Sequence, residues 1–237
     1  MNIESALRKT HTESKLKREL SEQAYEVCKT TTSYSAFVEV REFSPHFRGP
    51  RGFRLRHLDP RETWLDGAPD DIGTKTIVID AAGRHFSAAA DLLAMTGGDI
   101  SRGGGIPLVF FNNLEVASLA DDEGERARNA VENILSGLCK AAYDQNIVCA
   151  RGDTSQMGPS VGSEIVHSQT RFNLSGVMLG AYREDRLITG IDLAEGDVVI
   201  ALQERGFRAN GFSVVRLALR KKYGRRWWRK PRAQDFI

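Results

Sequence analysis

The chain has 237 residues, 41% of them hydrophobic and 27% charged, with 33 Lys+Arg against 31 Asp+Glu and a formal net charge of +2. That composition supports a sizeable core and excludes a long disordered chain, because its apolar content can repay the entropy of ordering. The apolar runs, such as Leu108–Phe111 and Val198–Leu202, are too short to span a membrane, and the polar start MNIESALRKTHTESKLKREL has no apolar secretion signal. Three cysteines, Cys28, Cys139 and Cys149, make neither a disulfide framework nor a C-x-x-C zinc pattern, so a reducing cytoplasm is the expected compartment.

In chain order, residues 1–30 read as a helix, with Leu16, Leu20, Ala24 and Val27 at three- and four-residue intervals. The alternation in Phe37–Phe43 predicts a half-buried strand. The Gly-, Pro- and Arg-rich stretch from His46 to Asp71 reads as loop with one short strand. The β-branched run Thr76–Ile79 predicts a strand, Ser87–Met95 a small-residue helix, and Gly97–Gly105 a glycine cluster. Pro107–Val116 predicts a strand, and Glu125–Tyr143 is the clearest helix, with Val131, Ile134, Leu135, Leu138 and Ala142 on one stripe. Further strands are predicted at Ile147–Ala150, Phe172–Tyr182 and Val198–Leu202, and a last helix at Phe212–Tyr223 with Val215 and Leu219 on one face. The class is α+β or α/β, without internal repeats.

The end of the chain breaks the near-neutral balance. Arg220–Arg232 reads RKKYGRRWWRKPR, eight cations and no acid. Such a segment attracts phosphates or an anionic membrane surface, although a solvated helix end explains it with less.

Common catalytic signatures are missing. Gly98-x-x-x-x-Gly103 is followed by Gly104 where a P-loop needs Lys, no dinucleotide fingerprint is complete, and neither H-E-x-x-H nor G-x-S-x-G occurs. Five histidines (His11, His46, His57, His85, His167) are scattered, and His85 and His167 read as surface or turn residues. Met95, Phe110 and Phe111, together with Cys139 and Cys149, read as packing residues. Three segments pair aspartate with glycine or small residues at element edges: Asp70-Asp-Ile-Gly-Thr-Lys75, Gly97-Gly-Asp99-Ile and Arg151-Gly-Asp153-Thr-Ser-Gln-Met157. Magnesium on phosphates takes one to three carboxylates, glycines let backbone approach oxygens, and Lys75 is a mobile point charge for a phosphate. The simpler reading of each is a turn, since Asp and Gly dominate turns.

Taken together, DDIGTK, AADLLAMTGGDISRGGGIPLVFF, GLCKAAYDQNIVCARGDTSQM, FNLSGVMLGAYREDRLITG and GDVVIALQERGFRANGFSVVR stand in one order. That order resembles the aminoimidazole ribonucleotide synthetase family (phosphoribosylformylglycinamidine cyclo-ligases) from about Asp70 to Leu219. The chain departs from the family pattern at Asp71 and Gly98, at Asp153 and Gln156 in place of glutamates, at Gly158 in place of proline, and at Arg208 in place of histidine. The resemblance implies an α+β fold: a strand-rich, dimer-forming first domain over 66–188 and the beginning of a second α/β domain over 189–237, ending in the basic tail. A divergent N-terminal region, 1–65, precedes them.

The resemblance further implies ATP-dependent ring closure of formylglycinamidine ribonucleotide to aminoimidazole ribonucleotide in purine biosynthesis, with ATP and Mg2+. Alternatives are another ATP-phosphoryl-transferring member of the same superfamily, or a non-catalytic dimeric paralogue. Implied metal ligands are Asp70, Asp99 and Asp153. Implied ATP contacts are Asp70, Gly73, Thr74, Lys75, Asp153, Thr154, Asn210 and Gly211, with Lys75 and Asp99 closest to the chemistry. The implied partners are a nucleotide substrate and a second copy of the chain. Neither a membrane nor, despite the basic tail, a nucleic acid is the expected partner.

Overall fold

The computed structural model describes the backbone at residues 3–42, 51–119, 125–165, 170–203 and 206–230. His46, His167, the Gly49–Pro50 part of the early glycine-rich stretch, and the side chains of His11 and Cys28 lie outside the described set. The elements run α1 (Ile3–Thr32), β1 (Val38–Glu42), β2 (Arg51–Leu55), β3 (Thr63–Asp71), α2 (Lys75–Ala82), α3 (Ala88–Ser101) and β4 (Ile106–Val116). They continue with α4 (Glu125–Asp144), β5 (Val148–Gln156), β6 (Phe172–Arg183) and α5 (Phe212–Tyr223). The fold is mixed α/β.

A four-stranded sheet in the order β3-β6-β4-β5 is the spine. β6 is antiparallel to both β3 and β4, whereas β4 and β5 are parallel. Parallel neighbours need a long crossover, and α4 supplies it. The predicted stripe of α4 is buried in full and meets Leu92 and Leu93 of α3, Leu20 of α1, and the β-face residues Phe110, Leu114, Cys149, Leu174 and Met178. Helices α1, α3 and α4 therefore cover one face. The hairpin β1–β2 covers part of the other, where Val38 packs with Val109, Val148 and Ala181. Thr31, fully buried at the end of α1, ties that helix to β5 by accepting the Cys149 N–H at 3.0 Å and donating to the Cys149 carbonyl at 3.4 Å.

Four expectations change. His46–Asp71 holds two strands, β2 and β3, not one. β3 tolerates Gly67 and Pro69 because it is an edge strand with one unpaired side. Thr76–Ile79 is helical: a turn at Gly73 (φ +54°) precedes it, and Gly83 (φ +63°) closes it, with the Arg84 N–H donating to the Ile79 carbonyl. The helix α3 runs through Gly97 and Gly98 to Ser101, and Gly97 lets it approach Pro107 and Met178. Val198–Leu202 is no strand; it has no ladder partner among the described residues, and Val199 is 93% exposed.

His85 also departs from expectation. It is buried, with Nε2 3.0 Å from Asp80 Oδ1, and the same oxygen accepts the Thr170 N–H at 3.1 Å. The cysteines, Phe110 and the α5 face pack as expected: Cys149 is buried, Cys139 lies against the main core, and Val215 and Leu219 join a third cluster with Val78 and Trp227. Among the described residues no helix is long and apolar enough to cross a membrane.

Candidate active site

The turn after β3 is built by its own carboxylates. Asp70 Oδ1 accepts the Asp71 N–H at 2.8 Å, and Asp71 Oδ1 accepts the Gly73 N–H at 2.6 Å. The positive φ of Gly73 then lets the chain reverse directly into α2. This delivers Thr74 and Lys75 to the start of α5, more than 130 residues later. Thr74 Oγ1 lies 3.1 Å from Ser213 Oγ. Lys75 Nζ donates to Asp91 Oδ1 at 2.7 Å and sits 4.9 Å from the centre of the Phe212 ring. The corner thus joins Gly73, Thr74 and Lys75 with Gly211, Phe212 and Ser213.

Gly211 precedes α5 at φ +83° and provides no side-chain cap. The Val214 and Val215 N–H groups donate to the Gly211 carbonyl at 3.0 and 3.3 Å, which leaves those of Phe212 and Ser213 at the helix end, where the macrodipole favours an anion. Asn210 is exposed beside them. With two hydroxyls and an ammonium adjacent, this corner has the donors to hold a phosphate group. Lys75 is only 13% exposed, and its charge is already matched by Asp91, so an arriving phosphate competes for a paired cation, not a mobile one.

The sheet places the remaining candidates by register. Asp71, Ser175, Asn113 and Asp153 stand opposite one another across β3, β6, β4 and β5. Directly opposed residues share a face, so these four form one polar row. The next row brings Asn173, Glu115 and Ser155 together; Glu115 accepts from Asn113 at 3.3 Å and from Asn173 at 3.4 Å, and Ser155 donates to Asp153 at 2.6 Å. Asp70 belongs to the alternate row with Gly176, Asn112 and Gly152, on the helix-covered face. Thr154 also faces that way and is buried.

The three aspartates expected to meet around one metal do not meet in this chain. Asp70 and Asp153 lie on the two edge strands and on opposite faces, three strand spacings apart, about 14 Å. Asp99 is two turns along α3 from Asp91, about 12 Å by helix rise, and pairs with Arg102 at 3.4 Å. It adjoins Tyr182, whose phenol is pushed up by burial and then by Asp66, with Asp99 contributing and Arg102 opposing. Among the described residues no three His, Cys, Asp or Glu side chains group as a metal site. The carboxylates of one chain therefore do not fit a shared magnesium ion.

The sequence alone did not single out several neighbours of these candidates. Asp91 and Phe212, which fix Lys75, sit in segments read only for periodicity. Asn113, Glu115, Asn173 and Ser175 were legible as polar alternation within strands, and that alternation marks the face left uncovered.

A mixed sheet with helices on one face, and a donor-rich corner where two helices start, define a mixed α/β protein. No family model matches the chain. It is 30% identical over 164 residues to the phosphoribosylformylglycinamidine cyclo-ligase of Oceanobacillus iheyensis, covering 69% of this chain and 44% of that protein. The Prochlorococcus marinus enzyme of the same name is 31% identical over 164 residues, with 69% and 44% covered. The Bifidobacterium longum one is 29% identical over 172 residues, with 73% and 46% covered. The chain is thus a homologue of the phosphoribosylformylglycinamidine cyclo-ligases over about 70% of its length, and it spans less than half the length of these relatives. Similar solved structures include E. coli HypE (TM-score 0.44, 13% identity, 70% of this chain and 44% of that one). They also include Thermotoga maritima PurL complexed with ATP (TM-score 0.39, 13% identity, 56% and 20% covered).

Proposed function

We propose that the chain contributes to ATP-dependent closure of formylglycinamidine ribonucleotide to aminoimidazole ribonucleotide, in the cytoplasm. The observation that carries this reading is the sequence relationship to cyclo-ligases over some 70% of the chain. The corner at Gly73–Lys75 and Gly211–Ser213 supports it, because this chemistry begins with a nucleotide phosphate held by fixed donors. In the proposed reaction the substrate amide oxygen attacks the γ-phosphorus of ATP and ADP leaves. The substrate's internal amine then attacks the activated carbon, and phosphate departs as the ring closes. Nucleophile and electrophile share one molecule, so the protein has mainly to position and to stabilise charge.

Within this reading, α5's first N–H groups and the hydroxyls of Thr74 and Ser213 receive phosphate oxygens. Lys75 exchanges Asp91 for the transferring group, and the row Asp71–Ser175–Asn113–Asp153 orients the polar substrate. No step is assigned to magnesium, since the carboxylates of one chain are not gathered for it. We place the boundary between a first unit and the start of a second near residue 188, where β6 has ended and the exposed stretch begins. We also propose a homodimer through the β3 edge, where Trp64 is 65% and Leu65 60% exposed.

The separated carboxylates favour a second reading, a chain that keeps the fold and the assembly surface without turnover. One assay separates the two. Purified chain is incubated with ATP, Mg2+ and formylglycinamidine ribonucleotide, and ADP and aminoimidazole ribonucleotide are counted. One ADP per ring supports the first reading, and absence of both products supports the second.

A further inference from the structure

We propose that the cavity between the end of α5 and the turn that follows it binds a small phosphorylated anion. The cavity measures about 620 Å³ and is lined by Arg220, Arg225, Arg226, Arg229, Glu164 and the Trp227–Trp228 pair. That volume lies in the range of small-ligand sites.

Its walls are held firmly. Gly224 (φ +82°) ends α5, its N–H donating to the Arg220 carbonyl at 2.8 Å, and the Trp227 N–H returns to the Gly224 carbonyl at 3.1 Å. Trp227 is fully buried against Val78, Phe212 and Leu219, and Trp228 meets it edge-on with ring centres 5.8 Å apart. The arginines on either side of this anchor therefore project from a fixed backbone, which lowers the ordering cost of binding.

The charge balance calls for a ligand. Among the described residues Glu164 is the single carboxylate on the wall, and it is already engaged by Arg216 at 2.9 Å and Arg220 at 3.8 Å. Arg225, Arg226 and Arg229 have no acidic partner among the described residues. Guanidinium forks match phosphate oxygens in pairs, so three of them facing one cavity suit a group carrying at least two negative charges. The buried indole N–H of Trp227 has no acceptor among the described residues, and a buried donor without a partner is uncommon in folded proteins. That nitrogen is closed off from solvent, so the indole anchors the wall and is not itself a contact for the ligand. Recognition of a nucleic-acid strand fits less well. The arginines line a concavity, which suits a compact anion better than an extended strand. This inference is independent of the proposed activity, because none of these residues belongs to the Gly73–Lys75 corner.

The test uses the full chain carrying Trp64→Phe, so that emission reports Trp227 and Trp228, titrated with inorganic tripolyphosphate. The expected result is a saturable one-to-one change. It should weaken at least about tenfold, about 1.4 kcal/mol, in the double variant Arg225→Gln with Arg229→Gln. Lys75→Met should leave it unchanged. An absent signal overturns the proposal, as does equal weakening by Arg102→Gln on a remote helix. Loss through Lys75→Met but not through the arginine pair would move binding to the other corner and overturn it too. So would tight binding of a single-stranded oligonucleotide, or of phosphatidylglycerol vesicles, that tripolyphosphate fails to displace.

Discussion

The sheet with its helices and the stretch from Leu187 to Leu202 have similar apolar vocabularies and opposite fates. In β4, Val109, Phe110, Leu114 and Val116 are fully buried. In the later stretch Ile191, Val198, Val199 and Ile200 are all more than 80% exposed. The difference lies in partners. β4 has a ladder on each side and helices over one face, so its central apolar side chains close contacts and its peptide groups pair with β5 and β6. The later run has neither. Apolar β-branched sequence is permission to form a strand, and pairing decides.

Mutations can break or sharpen that contrast. Phe110→Ala should cost the most, about 3–5 kcal/mol in denaturant unfolding, because it empties a site walled by strands and helices. Gly137→Ala should follow. An added Cβ on α4 would strike the Phe86 carbonyl oxygen, which is backbone and cannot swing away; a loss of about 1–3 kcal/mol and a lower midpoint are expected. Thr31→Val keeps the shape but strands the Cys149 N–H, and should cost about 1–2 kcal/mol. Val199→Ala, in the exposed stretch, should change stability by less than about 0.5 kcal/mol. A loss above 1 kcal/mol would show that this stretch is packed in solution.

A separate effect is expected at alkaline pH. Tyr34 donates to the Ile147 carbonyl at 3.2 Å, and burial, the largest cause, pushes its phenol well above the ordinary value. The folded state therefore holds this proton where the unfolded state has released it. The stabilisation is complete below the unfolded value, about pH 10, and is lost as pH rises toward the folded one. Tyr34→Phe should flatten that decline in a pH series of unfolding midpoints. An unchanged slope would assign the decline to other groups.

Much of the sheet and its helices was legible in the sequence. The α4 stripe, the alternation in β1, and the apolar runs of β4 and β6 all carry their period and burial in adjacent residues. β3 was hidden, since an edge strand can hold Gly67 and Pro69. α2 was hidden by its β-branched residues, although Gly83 at its end was the available sign. The corner was half legible. Thr74 and Lys75 come beside Ser213 and Phe212, the residues that follow Asn210 and Gly211. Asp91, which neutralises Lys75, and Ser213, which meets Thr74, follow only from the crossing of distant helices. The gathering of Asp70, Asp99 and Asp153 failed for a register reason. Residues on different edge strands, opposite faces and a separate helix end are not made neighbours by glycine-flanked motifs.

Amide hydrogen exchange on the full chain, with and without ATP, tests the central claim most directly. If a nucleotide phosphate sits where α2 and α5 begin, amides at 73–76 and 211–215 should slow together on adding ATP, and Lys75→Met should erase the effect. Protection confined to other segments, or none at saturating nucleotide, would contradict it.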